Sequence, residues 1–156
     1  MNQAWKCRIL CKVRNGICFI GGLAVIRWGE IRMTQDIDIS LSVDFGNEET
    51  YLKILLKHFR SRIADAFEFA LNNRVLLLTA SNNVPVDIAI SGFPFEKEMI
   101  QRGSLFLFQP ACSLMTCSAE DLIILKAFAN RYKDWSDIES IIDKQGNTKG
   151  FFHYVR

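Results

Sequence analysis

Two aspartates separated by one residue, Asp36 and Asp38, are the side chains of this sequence best suited to chemistry. They open the alternating segment DIDISLSV, which predicts a strand with both carboxylates on one face, because successive side chains alternate. Neighbouring carboxylates repel each other, and a hard divalent cation such as Mg²⁺ relieves that repulsion because it prefers oxygen ligands. The alternative is a solvated polar face on a half-exposed strand.

A third carboxylate, Asp87, interrupts the apolar strand segment VPVDIAI. If this strand pairs beside the first, three carboxylates converge on one sheet face and can hold two metal ions about 3.5–4 Å apart, as in-line phosphoryl displacement requires. The sequence therefore predicts a site for two Mg²⁺ or Mn²⁺ ions made by Asp36, Asp38 and Asp87. If Asp87 does not meet the pair, the chain is a globular domain whose role the sequence does not indicate.

A Gly-Gly step, Gly21-Gly22, separates a predicted buried strand from a predicted helix. Residues without Cβ let a ligand approach the backbone, and a helix N-terminus offers N–H groups to phosphate oxygens. A tight strand-to-helix turn is the simpler explanation, and the step is no P-loop because no Gly-Lys-Ser/Thr follows. Arg32 could bind a triphosphate through paired hydrogen bonds, or be a surface loop arginine. Thr34 could hydrogen-bond the same loop.

The elements that must position these residues follow from hydrophobic periodicity and turn residues. Strands are predicted at 17–20, 36–43, 75–80, 84–90, 105–108 and 114–117, and helices at 3–13, 23–28, 48–60, 95–101, 122–130 and 138–142. Strands come early and helices late, which predicts an α+β or mixed α/β class. We expect a boundary near residue 110, between a domain at 1–110 and a C-terminal helical extension at 111–156 packed on it.

The C-terminal third carries helix start signals and one notable lysine. Ser118 to Asp121 matches a capping box, and Asp134 to Asp137 has the same form. The two later aspartates are therefore predicted as cap and first-turn residues. Lys126 borders the apolar stripe of its helix, where a snorkelling lysine is the simpler explanation.

Composition excludes several classes of protein. The chain has 156 residues and a net charge of +2, so no polybasic surface indicates nucleic acid by itself. No apolar run approaches the ~20 residues that span a bilayer, and no signal peptide is visible, so we expect a soluble cytoplasmic protein without membrane contact. Five cysteines, an odd number, predict buried free thiols rather than a disulfide framework or zinc site. The aromatic residues of the closing FFHYVR would suit a homodimer or partner contact.

The glycines and aspartates together lie in a segment with a family resemblance. Residues 19–39, FIGGLAVIRWGEIRMTQDIDI, resemble the signature of the DNA polymerase β-like nucleotidyltransferase superfamily. Within it, they resemble the minimal bacterial and archaeal nucleotidyltransferases, including relatives of the AbiEii-type abortive-infection toxin. The resemblance implies that Asp36 and Asp38 bind both metal ions and that Asp87 completes one site and helps to activate the acceptor hydroxyl. It implies that Gly21 and Gly22 line the nucleotide phosphates.

Residues 118–138, SAEDLIILKAFANRYKDWSDI, resemble the helical pair that follows in these families. The resemblance places Lys126 near the nucleotide as a catalytic and phosphate-binding cation. It implies a nucleotidyltransferase-like mixed β-sheet flanked by helices, followed by a short C-terminal helical pair.

The implied reaction is metal-dependent transfer of a nucleoside monophosphate from an NTP to a hydroxyl. The acceptor stays open among an RNA 3′ end such as that of tRNA, a protein and a small molecule. The chain could be the toxin of a toxin–antitoxin pair, with an antitoxin as partner. The alternative is a non-catalytic nucleotide-binding or partner-binding module with the same fold, which the short C-terminal region favours.

Overall fold

The computed structural model describes residues 16–110 and 112–146. The predicted helix at 3–13 and the closing FFHYVR lie outside these residues. The described strands are β1 (Ile17–Phe19), β2 (Ile37–Ser42), β3 (Arg60–Ser61), β4 (Val75–Thr79), β5 (Pro85–Ser91), β6 (Ser104–Gln109) and β7 (Cys112–Thr116). The described helices are α1 (Gly21–Trp28), α2 (Glu48–His58), α3 (Ala66–Asn73), α4 (Pro94–Arg102), α5 (Ala119–Ala129) and α6 (Tyr132–Gly146).

All seven described strands join one mixed sheet in the order β3-β4-β5-β2-β1-β7-β6. The pairs β2–β5 and β1–β7 are parallel, and the other neighbours are antiparallel. The predicted mixed α/β class is therefore confirmed. Strand β2 is central, with three strands on each side. It pairs with an antiparallel β1 on one side and a parallel β5 on the other.

Helices cover both faces of the sheet, so the central strands are buried on both sides. On one face, Ile39 and Leu41 pack with Leu52 of α2 and Ala70 of α3. On the other face, α1, α4, α5 and α6 contribute a second core. This second layer covers the face of β2 that carries Asp36 and Asp38 at its N-terminal end.

The polar face of β2 is not solvated along its length. Ser40 is buried, and its hydroxyl lies 2.6 Å from that of Ser91 on β5. The alternative of a solvated polar strand face is therefore wrong at Ser40, because the second helix layer covers it and the two hydroxyls satisfy each other. At the N-terminal end of this face, Asp36 and Asp38 remain partly exposed.

The C-terminal elements are attached to the sheet and to α1. Strand β7 pairs with β1, so the expected division near residue 110 falls between two paired strands of one sheet and stays a prediction. The guanidinium of Arg27 donates to Thr116 Oγ1 at 2.7 Å, and Trp28 Nε1 donates to the Cys117 carbonyl at 2.7 Å. These bonds fix the C-terminal end of α1 against β7.

Helix α5 has its predicted cap, since the Asp121 N–H donates to Ser118 Oγ at 3.1 Å, and it begins at Ala119, three residues before the predicted start. Helix α6 begins at Tyr132, six residues before the predicted start, so the prediction of Asp134 as a cap is wrong. Asp134 lies inside the first turn and accepts a hydrogen bond from the Arg131 N–H at 3.2 Å. It therefore satisfies a helix-start donor from within the helix.

The described cysteines and helices bear on the disulfide and membrane classes that composition excludes. Cys18 and Cys117 are buried free thiols, as predicted, but Cys112 is exposed, so burial is wrongly predicted for it. It lies at the start of β7, on the outer hairpin of the sheet. No helix in the described part is long and apolar enough to cross a membrane.

Candidate active site

The sheet brings Asp87 beside Asp38. Strands β2 and β5 run parallel with Ile37 opposite Val86 and Asp38 opposite Asp87. Residues paired in this way share a face, so both carboxylates project from the same side of the sheet. Asp36 lies just before β2 and two residues from Asp38, so all three predicted carboxylates lie in one neighbourhood.

These carboxylates act on one another electrostatically. Burial raises the pKa of Asp38, and the charges of Asp36 and Asp87 raise it further, while a hydrogen bond from the Gly22 N–H opposes the shift. Burial also raises the pKa of Asp87, which the Arg62 guanidinium counteracts. Ionised carboxylates held this close are destabilised unless a cation joins them. Their oxygen donors fit a hard divalent ion.

The glycine step gives room to site side chains. Gly21 has φ +59°, and a Cβ there would lie 1.9 Å from Asp38 Oδ2. A Cβ at Gly22 would lie 2.3 Å from Thr34 Oγ1. The Thr34 hydroxyl in turn donates to the carbonyl oxygen or to Oδ1 of Asp36, at 3.1 and 3.2 Å. The two glycines therefore let α1 begin directly against Asp38 and the loop that holds Asp36.

We predict that Gly21→Ala lowers the free energy of unfolding by about 2 kcal/mol or more, since a left-handed backbone costs roughly 1–2 kcal/mol with a Cβ. The added clash displaces the Asp38 carboxylate. Gly46→Ala is the matched control, because Gly46 has φ +91° and a Cβ added there would meet no atom within 4 Å. Chemical denaturation should show the smaller loss in the control, and equal losses in both variants would contradict the close approach.

Lys126 lies between two aspartates of α6. Its side chain is 6% exposed, and Nζ donates to Asp134 Oδ1 at 3.0 Å and to Asp137 Oδ2 at 2.7 Å. The alternative of a snorkelling lysine is therefore wrong, because the ammonium group is buried with its counter-ions. The prediction of Asp137 as a first-turn residue is wrong, because it is the sixth residue of α6, and both aspartates bind Lys126 instead.

Two arginines complete this ion cluster. Arg32 donates from Nε and a terminal nitrogen to both carboxylate oxygens of Asp137, at 2.8 and 2.9 Å. Arg131 donates from Nε to Asp134 Oδ2 at 2.6 Å. Arg32 is thus no free surface arginine. Lys126 and Arg32 share Asp137, which joins α5, α6 and the loop before β2.

The cluster shifts the titration of its aspartates. Burial opposes ionisation of Asp134, but hydrogen bonds from Arg131 and Lys126 outweigh it and hold its pKa well below the usual range. Burial likewise opposes ionisation of Asp137, and Arg32 and Lys126 lower its pKa. Both aspartates are therefore ionised at neutral pH, and the cluster carries three cations against two anions.

A cavity of about 430 Å³ joins the glycine step, the aspartate pair and the ion cluster. Its lining includes seven of the predicted site residues: Gly21, Gly22, Arg32, Thr34, Asp36, Asp38 and Lys126. Asp134 and Arg131 also line it, whereas Asp87 lies outside this lining. The cavity lining therefore contains both the aspartate pair and paired cations.

Within residues 16–110 and 112–146, no three His, Cys, Asp or Glu side chains stand together as ready metal ligands. Asp87 Oδ1 accepts a hydrogen bond from the Arg62 guanidinium. Sequence reasoning missed Arg62, since nothing in its local pattern marks it. It also missed Arg131, although this residue stands in the segment whose resemblance identified Lys126.

Comparisons with known proteins give a consistent result. The family model for the nucleotidyl transferase AbiEii toxin, type IV TA system, matches residues 8–153. An antigenic nucleotidyltransferase-like protein from Paracoccidioides brasiliensis has a similar structure, with TM-score 0.54 and 17% identity over 87% of this chain and 71% of that chain. The lincomycin-bound lincosamide antibiotic adenylyltransferase LnuA has TM-score 0.53 and 14% identity over 90% of this chain and 96% of its own. No curated protein sequence matches the chain. The two structures show a shared fold.

Proposed function

Because the chain belongs to the nucleotidyl transferase AbiEii toxin family, we propose that it transfers a nucleoside monophosphate from an NTP to a hydroxyl acceptor with Mg²⁺ or Mn²⁺. One observation carries this proposal. A single cavity is lined by Asp36 and Asp38, by the glycine step at the start of α1, and by the cation Lys126. Nucleotidyl transfer needs these three parts: carboxylates for cations, backbone N–H groups and positive charge for phosphates.

Asp36, Asp38 and Asp87 would hold the metal ions. When bound, the ions supply positive charge that activates the acceptor hydroxyl and neutralises the leaving pyrophosphate. The like-charge destabilisation of Asp38 supports this assignment, since a cation would relieve it. The chain's own part is to hold these carboxylates in place: Thr34 bonds Asp36, and the Gly22 N–H bonds Asp38.

The ion cluster would bind the phosphates. A lysine ammonium has three donors, and Lys126 uses two of them on Asp134 and Asp137, which leaves one for a phosphate oxygen. Arg32 keeps part of its five-donor fork free beyond Asp137 and the Met33 carbonyl. Asp134 and Asp137 thus act as positioning residues, because their ionised carboxylates hold Lys126 and Arg32 at the cavity. Positioning and electrostatics then supply most of the catalysis.

The acceptor and partner belong to the same proposal. The type IV toxin–antitoxin description of the family supports a toxin that meets an antitoxin in the cytoplasm. LnuA is described as an antibiotic adenylyltransferase with lincomycin bound, which keeps a small-molecule hydroxyl beside a tRNA 3′ end and a protein hydroxyl as candidate acceptors. The pairing of Asp87 with Arg62 favours a second candidate, a non-catalytic nucleotide-binding module.

A label-transfer assay tests the proposal. The protein is incubated with each α-labelled NTP, with Mg²⁺ or Mn²⁺, and with a mixture of total RNA and cell protein. We expect label on one acceptor class with the unaltered chain and none with Asp36→Asn. The matched control is Asp44→Asn, since Asp44 is exposed and pairs with Lys97 away from the cavity. Metal-dependent NTP binding without transfer would favour the non-catalytic module, and transfer by Asp36→Asn would contradict the site.

A further inference from the structure

Arg62 lies in the same transverse row of the sheet as two of the carboxylates. Its N–H donates to the Leu77 carbonyl at 3.0 Å, continuing the β3–β4 pairing by one residue. Leu77 is opposite Asp87, and Asp87 is opposite Asp38. The backbone therefore sets Arg62 in line with the carboxylates, two strands from Asp87, or about 9–10 Å at the usual strand spacing.

The Arg62 side chain spans this distance and forms an ion pair with Asp87. The two side chains are 30% and 31% exposed, so the pair is half-buried and open to solvent. The guanidinium opposes the rise in the pKa of Asp87 that burial and Asp36 cause. Arg62 thus supplies a positive charge that faces Asp87.

We infer that Arg62 is the resident counter-ion of Asp87 in the metal-free protein and yields Asp87 to the divalent cation, so that Arg62 sets the affinity of the site for that cation. This inference rests on the proposed function, in which Asp87 is one of the metal-binding carboxylates. Arg62 is a positioning residue in this scheme. It holds the Asp87 carboxylate in an ion pair until a divalent ion competes for it.

Competition follows from charge and exposure. A guanidinium and a divalent ion that share one carboxylate repel each other, so binding of the ion requires Arg62 to release at least part of its contact. Half-exposed ion pairs are weak, and breaking one changes an equilibrium by about fivefold. The free-energy cost of breaking the Arg62–Asp87 ion pair is therefore low enough for a divalent ion to overcome, yet the change in affinity is large enough to measure.

Direct Mn²⁺ titration tests this inference without using activity. The free ion is followed by electron paramagnetic resonance in the full chain without nucleotide. We expect Arg62→Ala to lower the Kd for Mn²⁺ by about fivefold. Arg62→Lys, which keeps a cation, should stay nearer the unaltered chain. Arg60→Ala is the matched control, because Arg60 lies on β3 and donates to Asn83 rather than to a carboxylate.

Three outcomes of the Mn²⁺ titration distinguish the inference about Arg62 from the proposed metal site. Tighter Mn²⁺ binding in Arg62→Ala but not in Arg60→Ala supports the exchange. Equal Kd values for these two variants overturn it and leave the proposed metal site intact, provided that Asp36→Asn still abolishes binding. Mn²⁺ binding that survives in Asp36→Asn overturns the proposed metal site, and the inference about Arg62 falls with it. Circular dichroism of each variant confirms that it is folded.

Discussion

Replacing Asp38 by asparagine is expected to abolish nucleotidyl transfer and also to raise the melting temperature of the metal-free protein. The loss of activity should reach about a thousandfold or more, since the amide cannot supply the charge that metal-assisted transfer needs. The gain in stability follows from the raised pKa of Asp38, which burial and the neighbouring carboxylates cause. A neutral asparagine removes that destabilisation, and one kcal/mol corresponds to roughly 2–4 °C in a chain of this length.

The gain in melting temperature of Asp38→Asn should depend on pH. A carboxyl group whose pKa is raised on folding favours the folded state below its unfolded pKa, near 3.9, and that contribution is lost as the pH rises through the folded pKa. The advantage of Asp38→Asn should therefore be small in acid and grow toward neutral pH. Asp44→Asn, which removes an exposed charge, should change neither activity nor this profile. A lower melting temperature for Asp38→Asn at pH 7 would contradict the assignment.

Replacing Lys126 by methionine should destabilise the fold by about 3–5 kcal/mol, because removal of one partner leaves buried charges uncompensated. Asp134 and Asp137 would keep Arg131 and Arg32, but the ammonium group between them would be gone. Chemical denaturation measures the loss. Lys53→Met is the matched control, since Lys53 pairs with Glu49 on the surface of α2 and such pairs contribute under about 1 kcal/mol.

Acid titration separates this cause from lost packing. Because the pKa values of Asp134 and Asp137 are lowered on folding, their contribution is present above the unfolded pKa, near 3.9, and is lost as the pH falls through the folded pKa values. Lys126→Met should weaken that contribution. The stability gap to the unaltered chain should then narrow below about pH 4. A gap that stays constant with pH would identify packing as the cause.

Local patterns predicted the part of the site that strands create. Strict alternation put Asp36 and Asp38 on one face, and the mixed sheet then set Asp87 opposite Asp38. Alternation could not say what covers that face, because burial of Ser40 depends on Ser91 of another strand and on helices that follow later. Periodicity describes an element, whereas burial depends on the neighbours of that element.

The ion cluster shows a second limit of prediction from local sequence patterns. Asp134 looks like a cap in the sequence because a carboxylate near a helix start has the same local pattern whether it meets a backbone N–H or a distant cation. Its pairing with Lys126 requires two helices to meet, and Asp137 bonds Arg32 across 105 residues of sequence. Arg62 and Asp87 are 25 residues apart and meet only because β3 and β5 flank β4. No short window contains Arg32 with Asp137 or Arg62 with Asp87.

The link between Arg32 and Asp137 also has a consequence for synthesis of the chain. A ribosome adds about 5–20 residues per second, so the 105 residues between the two partners take on the order of 5–20 s to appear. During that interval the aspartate pair can already exist, but the far wall of the cavity has not been made. A nascent chain would thus hold Arg32 without Asp137 until α6 emerges. Competence of the pocket is therefore a late event in translation, reached only when α5 and α6 dock on α1.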